Sequence, residues 1–375
     1  MPSRRTVGLV VVADVLVIAS EHPCQFDVDD EAQVRCARCE ARVPPVRSIL
    51  LSVVICTRNR ADLAAAAVQS VCEQTLPEDR YEILLVDNGS TDHTHAAIVA
   101  VQRRYPKHVI RYVREEETGL SHARNRGYRE AAGVYVAYLD DDGKAPSHWL
   151  EYAQVLIDRH HPDGLGGPIL AFFQTDKPVW FKDAYGSFSK TSTPRPLRSA
   201  EAFYGGNMFF LKDLLDSYGG FDPNLGMRGY TIGYGEETDF QIRLRVAKPG
   251  ALLYYDPSLY AFHLVRPEKW SWMWLINARF VAGRQNYHAV PNRSFQETSI
   301  AMIVLRTVAK FGIIGWQLSL GALLRNRADY PHVQNYWYER TLRHVNSLGA
   351  YYEHVCANRN ADDGESEPPS RLPKN

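Results

Sequence analysis

Charge of one sign is missing from this chain: Lys+Arg and Asp+Glu each number 43 in 375 residues, and the formal net charge is zero with histidine neutral. Without a global basic field, nucleic acid is not expected as a partner, and any polyanion must bind locally. Cysteine is sparse, and Cys24, Cys36, Cys39, Cys56, Cys72 and Cys356 are not spaced as a disulfide framework, which points to a reducing compartment. "CARC" (Cys36 to Cys39), with Cys24 and His22 nearby, offers a zinc site only if all of these ligate; ordinary thiols are the favoured reading. Repeats are absent too, and 45% hydrophobic with 23% charged residues is the composition of a globular protein with one large domain and a smaller one.

Long hydrophobic runs are few. The start, "MPSRRTVGLVVVADVLVIA", has the basic-then-apolar pattern of a signal peptide, but Asp14 interrupts it and no small-residue cleavage site follows in "SEHPCQF". A strand, or residues ahead of the fold, is favoured there over a membrane signal. Near the other end, "SIAMIVLRTVAKFGIIGWQLSLGALLR" (299–325) is broken by Arg306 and Lys310, so its unbroken part runs only from Phe311 to Leu324. That is short for a spanning helix and fits an interfacial or core helix.

What is present begins at residue 48. "ILLSVVICT" (49–57) is a β-branched apolar run of the kind covered on both faces in a parallel sheet. An Ala-rich helix (61–74), a strand "YEILLVDNG" (81–89), a helix from Thr91 to Tyr105, a strand (109–115), a helix (119–133) and a strand "VYVAYLDDD" (134–142) follow. The alternation predicts an α/β fold with a mostly parallel central sheet flanked by helices. The expected domains are an appendage or linker over 1–47, a main domain over 48–290 with halves 48–145 and 146–290, a helical extension over 291–358, and a disordered tail over 359–375.

Ligands of such sheets bind at the carboxyl ends of the strands. Three strands end there in polar residues: Thr57-Arg58-Asn59, Asp87-Asn88, and Asp140-Asp141-Asp142. Adjacent carboxylates repel unless a cation offsets them, and on an extended chain Asp140 and Asp142 point the same way, so the pair suits one Mg²⁺ or Mn²⁺. The competing reading is a solvated acidic turn. A second cluster, "GYGEETDF" (233–240), sets carboxylates in the first turn of a helix behind a Gly-rich loop; helix capping is the alternative to catalysis there.

From about Ser48 to Asn286 these motifs, in order, resemble glycosyltransferase family 2 enzymes, whose nucleotide-sugar-binding GT-A domain is Rossmann-like. "SVVICTRNR" is similar to the family's first strand and nucleotide-contacting turn (Thr57, Arg58, Asn59). "ILLVDNGSTD" is similar to the second, where the resemblance gives Asp87 the base and Asn88 a place beside it. "GLSHARNRG" resembles the helix that closes on the diphosphate, through Arg124. "YLDDD" resembles the metal site, carrying a divalent cation (Mn²⁺ or Mg²⁺) to Asp140 and Asp142, with Asp141 on the nucleotide-sugar side. His263 in "AFHLVRPEKW" resembles a histidine near that metal and is the candidate third ligand. In "GYGEETDF" the family usually has Glu-Asp; here it is Glu236-Glu237, so the resemblance puts the catalytic base at Glu237, one methylene longer, with Glu236 beside it.

The implied activity is inverting transfer from a nucleotide-sugar donor, a UDP-sugar favoured, to a hydroxyl of a glycan, lipid-linked or small-molecule acceptor, in cell-envelope, exopolysaccharide or other glycoconjugate synthesis. The expected setting is cytoplasmic, with peripheral contact to the membrane's inner face. Arg266, Arg279 and Arg284 either counter the diphosphate or face solvent, and Trp149, Trp180, Phe181, Tyr204, Trp270, Trp272 and Trp274 divide between sugar platforms and core. A sugar nucleotidyltransferase would carry a Gly-rich loop after the first strand, which "CTRNRADL" lacks. An inactive glycan-binding scaffold is the remaining alternative, opposed by the intact acidic clusters.

Overall fold

The computed structural model describes residues 9–12, 15–18, 26–28, 34–36, 49–229, 231, 233–289, 295 and 297–362. Residues 1–48 and 49–375 are separate compact units. In the first, β1 (Leu9–Val12) pairs antiparallel with β2 (Val15–Ile18), and β3 (Phe26–Val28) with β4 (Val34–Cys36). His22, Cys24, Cys39 and the tail from residue 363 lie outside the described residues.

The second unit opens with β5 (Leu51–Thr57), α1 (Ala61–Cys72), β6 (Tyr81–Asp87), α2 (Thr94–Arg104), β7 (Ile110–Arg114), α3 (Leu120–Glu130) and β8 (Tyr135–Asp140). The sheet runs β8-β5-β6-β7, all parallel. Its strands read as continuous apolar runs because both faces are covered. Leu51, Val53 and Ile55 enter one core layer with Ala64, Ala67 and Val68 of α1, while Val54 enters the other with Ala123 and Tyr128 of α3. Each such buried Val, Leu or Ile contributes about 1.5–3 kcal/mol relative to exposure. The chain leaves β5 for β6 on one side and returns through α3 to β8 on the other, so the crevice for a ligand lies at the carboxyl ends of β5 and β8. In register, Thr57 stands beside Asp87, and Cys56 beside Asp140.

Beyond β8 come β9 (Gly143–Lys144), α4 (Trp149–His160), β10 (Gly164–Gly166), β11 (Ile169–Phe172), β12 (Arg195–Pro196), β13 (Asn207–Leu211), α5 (Lys212–Ser217), α6 (Glu236–Ala247), β14 (Leu253–Tyr255) and β15 (Ala261–Leu264). β13 joins β8 antiparallel, and the large sheet is completed as β12-β14-β10-β13. β11, β15 and β9 make a small second sheet.

The segment 251–265 forms two strands, β14 in the large sheet and β15 in the small one. The break is chemical. Pro257 brings no N–H to a ladder, and Asp256 Oδ1 accepts from Ser258 N at 2.8 Å, closing a turn. Likewise β8 stops at Asp140 rather than at residue 142.

The C-terminal helices are α7 (Trp272–Ala289), α8 (Ile300–Leu318) and α9 (Leu342–Asp362), with α7 packed along α9. The helical stretch Ile300–Leu323 is long and apolar enough to cross a membrane, longer than its unbroken apolar run alone suggests.

Candidate functional site

Thr57, Arg58 and Asn59 turn off the end of β5. The Thr57 hydroxyl donates to Asp141 Oδ2 at 2.8 Å. Asn59 takes a left-handed φ of 52°, which asparagine tolerates. Its N–H donates to Ser90 Oγ at 2.8 Å and its Oδ1 accepts from Thr91 N at 2.7 Å, joining the β5 and β6 turns. Arg58 Nη1 donates to Asn88 O at 3.1 Å and Thr118 Oγ1 at 2.9 Å. Asn88 braces the next loop, donating to Glu117 O at 2.6 Å and accepting from Gly119 N at 2.8 Å. Asp87 is buried, accepting from Ser90 N at 2.8 Å and from the Tyr112 hydroxyl. Thr57 and Asn88 therefore support the crevice from beneath.

The three aspartates follow a tight turn. A Cβ at Gly143 would meet Asp140 O at 2.9 Å, so only glycine lets the chain double back into β9, where it pairs with His263. The turn replaces the extended geometry expected from the sequence, yet it still unites the pair. One ligand atom each from Asp140, Asp142 and His263 lies within 4.8 Å of the others. Two carboxylates and an imidazole are a donor set that suits Mn²⁺ and, less well, Mg²⁺, so the residues fit a divalent cation.

Basic side chains crowd this cluster. Asp142 has His263 Nε2 at 3.2 Å, Arg60 Nη1 at 3.7 Å and Arg266 Nε at 3.8 Å, and Lys269 Nζ lies 3.4 Å from His263 Nε2. Burial alone would raise the Asp142 pKa, but His263, Lys269 and Arg60 outweigh it and hold the carboxyl well below the usual range. Asp141 is raised to about 6 by burial and by Asp142, against Arg60, which donates to its Oδ1 at 2.8 Å. Burial lowers the Lys269 pKa.

The second cluster starts α6, after Gly235 at a left-handed φ of 100°. Arg124 joins it to the first. Its Nη1 donates to Glu236 Oε1 at 2.6 Å, and its Nη2 lies 3.6 Å from Asp140 Oδ1. Arg124 and Glu236 are both nearly shut off from water. Glu236 Oε2 is buried without a hydrogen-bond partner. Burial, and then the charge of Glu236, push the Glu237 pKa up to about 8. Asp239 is engaged elsewhere, accepting from Arg243 Nε at 2.7 Å.

Sequence reasoning missed Arg60 and Lys269. A Cβ at Gly205 would stand 2.5 Å from Arg124 Nη2, and one at Gly206 2.4 Å from Asp140 Oδ2, so "YGGN" is where backbone and site touch. Arg279 and Arg284 lie apart from the site, bonding Tyr338 Oη at 3.2 Å and Glu353 Oε2 at 2.7 Å. Trp149 is core, donating from its indole to Asn207 Oδ1 at 3.0 Å, and Trp180 stacks on Trp272 at 5.5 Å.

Residues 52–219 match the family described as "Glycosyl transferase family 2". The glycosyltransferase AglE of Haloferax volcanii is 27% identical over 175 residues, 47% of this chain and 57% of that one. From the same organism, a glucosyl-dolichyl phosphate glucuronosyltransferase is 25% identical over 244 residues, 62% of this chain and 75% of its own length. Among solved structures, a mannosyltransferase of Pyrobaculum calidifontis, in complex with GDP-Man and Mn²⁺, shares the fold with a TM-score of 0.57 and 18% identity, over 81% of this chain and 86% of its own. The architecture is thus the GT-A fold with a helical C-terminal region, and over residues 52–219 the chain is similar to glycosyl transferase family 2.

Proposed function

We propose that this chain transfers a sugar, with inversion, from a nucleoside diphosphate donor, a UDP-sugar, to a hydroxyl of a glycan, lipid-linked or small-molecule acceptor in glycoconjugate synthesis. The observation that carries the reading is the linkage of two acidic clusters through Arg124: one fit to hold a cation, the other a carboxyl with a pKa of about 8. The glucuronosyltransferase relative, whose name specifies a dolichyl phosphate substrate, favours the lipid-linked class.

Asp140, Asp142 and His263 would hold the divalent cation, which would neutralise charge on the donor's diphosphate. Thr57, Arg58, Asn59, Asp87, Asn88 and Asp141 shape the nucleotide side, and Arg124 fixes Glu236 against Asp140. Glu237 accepts the proton of the acceptor hydroxyl as the oxygen bonds the anomeric carbon and the bond to the diphosphate breaks. The Glu236 carboxyl, held by Arg124, raises the proton affinity of Glu237. The reaction belongs to the cytoplasm, on the inner face of a membrane contacted through residues 299–325.

The test is calorimetric titration of UDP and of GDP, with and without Mn²⁺, into the full chain and its Asp142→Ala variant. Mn²⁺-dependent UDP binding that the variant loses is the expected outcome. Binding of neither nucleotide under any metal condition sinks the reading.

A further inference from the structure

Helix α8 is amphipathic in the opposite sense to a helix of a water-exposed surface. Its inward stripe, Ile303, Thr307, Lys310, Ile314 and Gln317, recurs every three or four residues and is largely polar. Lys310 Nζ lies 3.1 Å from His344 Nδ1 of α9, and Gln317 Nε2 lies 3.5 Å from His344 Nε2. Thr307 Oγ1 donates to Ile303 O within the helix at 2.8 Å. The outward face is apolar instead: Leu305 is 62% exposed, Val308 64% and Phe311 61%, with Trp316 and Leu323 also exposed. Contiguous exposed apolar surface of this kind marks an interaction site.

The charge around that face selects its occupant. From Thr298 to Ala328 the chain holds no aspartate or glutamate, and Arg306 and Arg327 are its exposed cations. A second copy of the chain would set these same cations against one another, whereas an anionic lipid surface complements them. One side of the helix meets protein, with Ile303 and Gln317 buried and Thr307, Lys310 and Ile314 half-buried. With one side closed that way, it lies in the plane of a leaflet rather than across it.

The catalytic unit is tied to this face by aromatic contacts. Trp272, at the start of α7, stacks on Trp180 at 5.5 Å and meets Trp337 edge-on at 5.8 Å. Asn335 Nδ2 donates to Trp180 O at 2.5 Å, and a Cβ on Gly321, just past α8, would come within 2.8 Å of Tyr336 Oη. Beside this stack Val179 and Met273 are 88% and 79% exposed. The Trp180 loop follows β11, which pairs with the strand carrying His263.

We propose that the outward face of α8, with Val179 and Met273, docks in the interfacial plane of an anionic lipid leaflet, Arg306 and Arg327 at headgroup level, and that the acceptor is a lipid-linked molecule presented from that leaflet. The acceptor clause rests on the proposed transfer reaction; the docking does not.

The experiment is flotation of the full chain with vesicles of phosphatidylcholine alone or containing phosphatidylglycerol, repeated with Leu305→Gln, Val308→Gln and Phe311→Gln combined. Wild type floats with the anionic vesicles and is released by salt, while the triple variant partitions at least about tenfold less. These side chains point outward, and an unchanged melting curve and unchanged Mn²⁺-dependent UDP titration verify that the variant is folded. Failure of wild type to float on anionic vesicles overturns the docking, as does a concentration-dependent dimer that the triple variant abolishes. Flotation without nucleotide binding refutes the transfer reaction and leaves the docking standing.

Discussion

Asp142 has His263 at 3.2 Å, Arg60 at 3.7 Å and Arg266 at 3.8 Å, whereas Glu236 and Glu237 have, among the described residues, the guanidinium of Arg124, which lies 3.6 Å from Asp140 as well. Both clusters bury adjacent carboxylates, and both must offset the repulsion. At the aspartates the offset is cations, so Asp142 stays ionised and its cluster is ready to hold a metal. At the glutamates the cation is shared, so the balance is met by a proton, and Glu237 titrates at about 8. Equal acidity in the sequence thus separates into two chemical roles through the number of cations that the fold delivers.

The largest way to break this contrast is Arg124→Leu. It leaves the buried Glu236 carboxyl without its ion-pair partner and should lower stability by about 3–5 kcal/mol, read by urea unfolding. A loss below about 1 kcal/mol would mean that the shared guanidinium is not what balances the glutamates.

Next in size is Glu237→Gln, which keeps the shape and removes the proton acceptor. It should lower kcat/KM by about 10²–10³-fold while UDP binding with Mn²⁺ is unchanged. A base works only after losing its proton, so wild-type kcat/KM should rise with pH and level off above about 8, and the variant's profile should be flat there. If Glu237→Gln retains the wild-type pH dependence, another group is the base.

Much of this was legible beforehand, for a physical reason. The runs in β5, β6 and β8 are apolar on both faces, so they read as parallel strands, and strand ends are where sequence marks a site. Asp140 and Asp142 do lie together, but not through strand geometry: the chain is a turn there, not extended, and Gly143 makes the turn. Arg60 was not legible, because its partners Asp141 and Asp142 are brought to it only by the register of β5 with β8. Nor was the inversion of α8. Periodicity shows that a helix has two faces but not which one meets the protein, and that is decided by His344, which receives Lys310.

The smallest change sharpens the contrast most. Gly206 lies just before β13, and Asn207 pins that backbone: its Nδ2 donates to Pro168 O at 3.0 Å and Leu259 O at 2.7 Å, and its Oδ1 accepts from Trp149. In Gly206→Ala the new methyl would stand 2.4 Å from Asp140 Oδ2, and since the strand is held, the carboxylate must rotate away. Displacing one ligand of the cation set in this indirect way should weaken Mn²⁺-dependent UDP binding by about tenfold in calorimetry. The pH midpoint of kcat/KM should stay near 8, because Glu237 is governed by burial and by Glu236, and the new methyl faces Asp140 instead. A midpoint that moves together with the UDP affinity would show that Arg124 transmits the displacement from Asp140 to Glu236, and the two clusters would then act as one network rather than as two differently balanced sites.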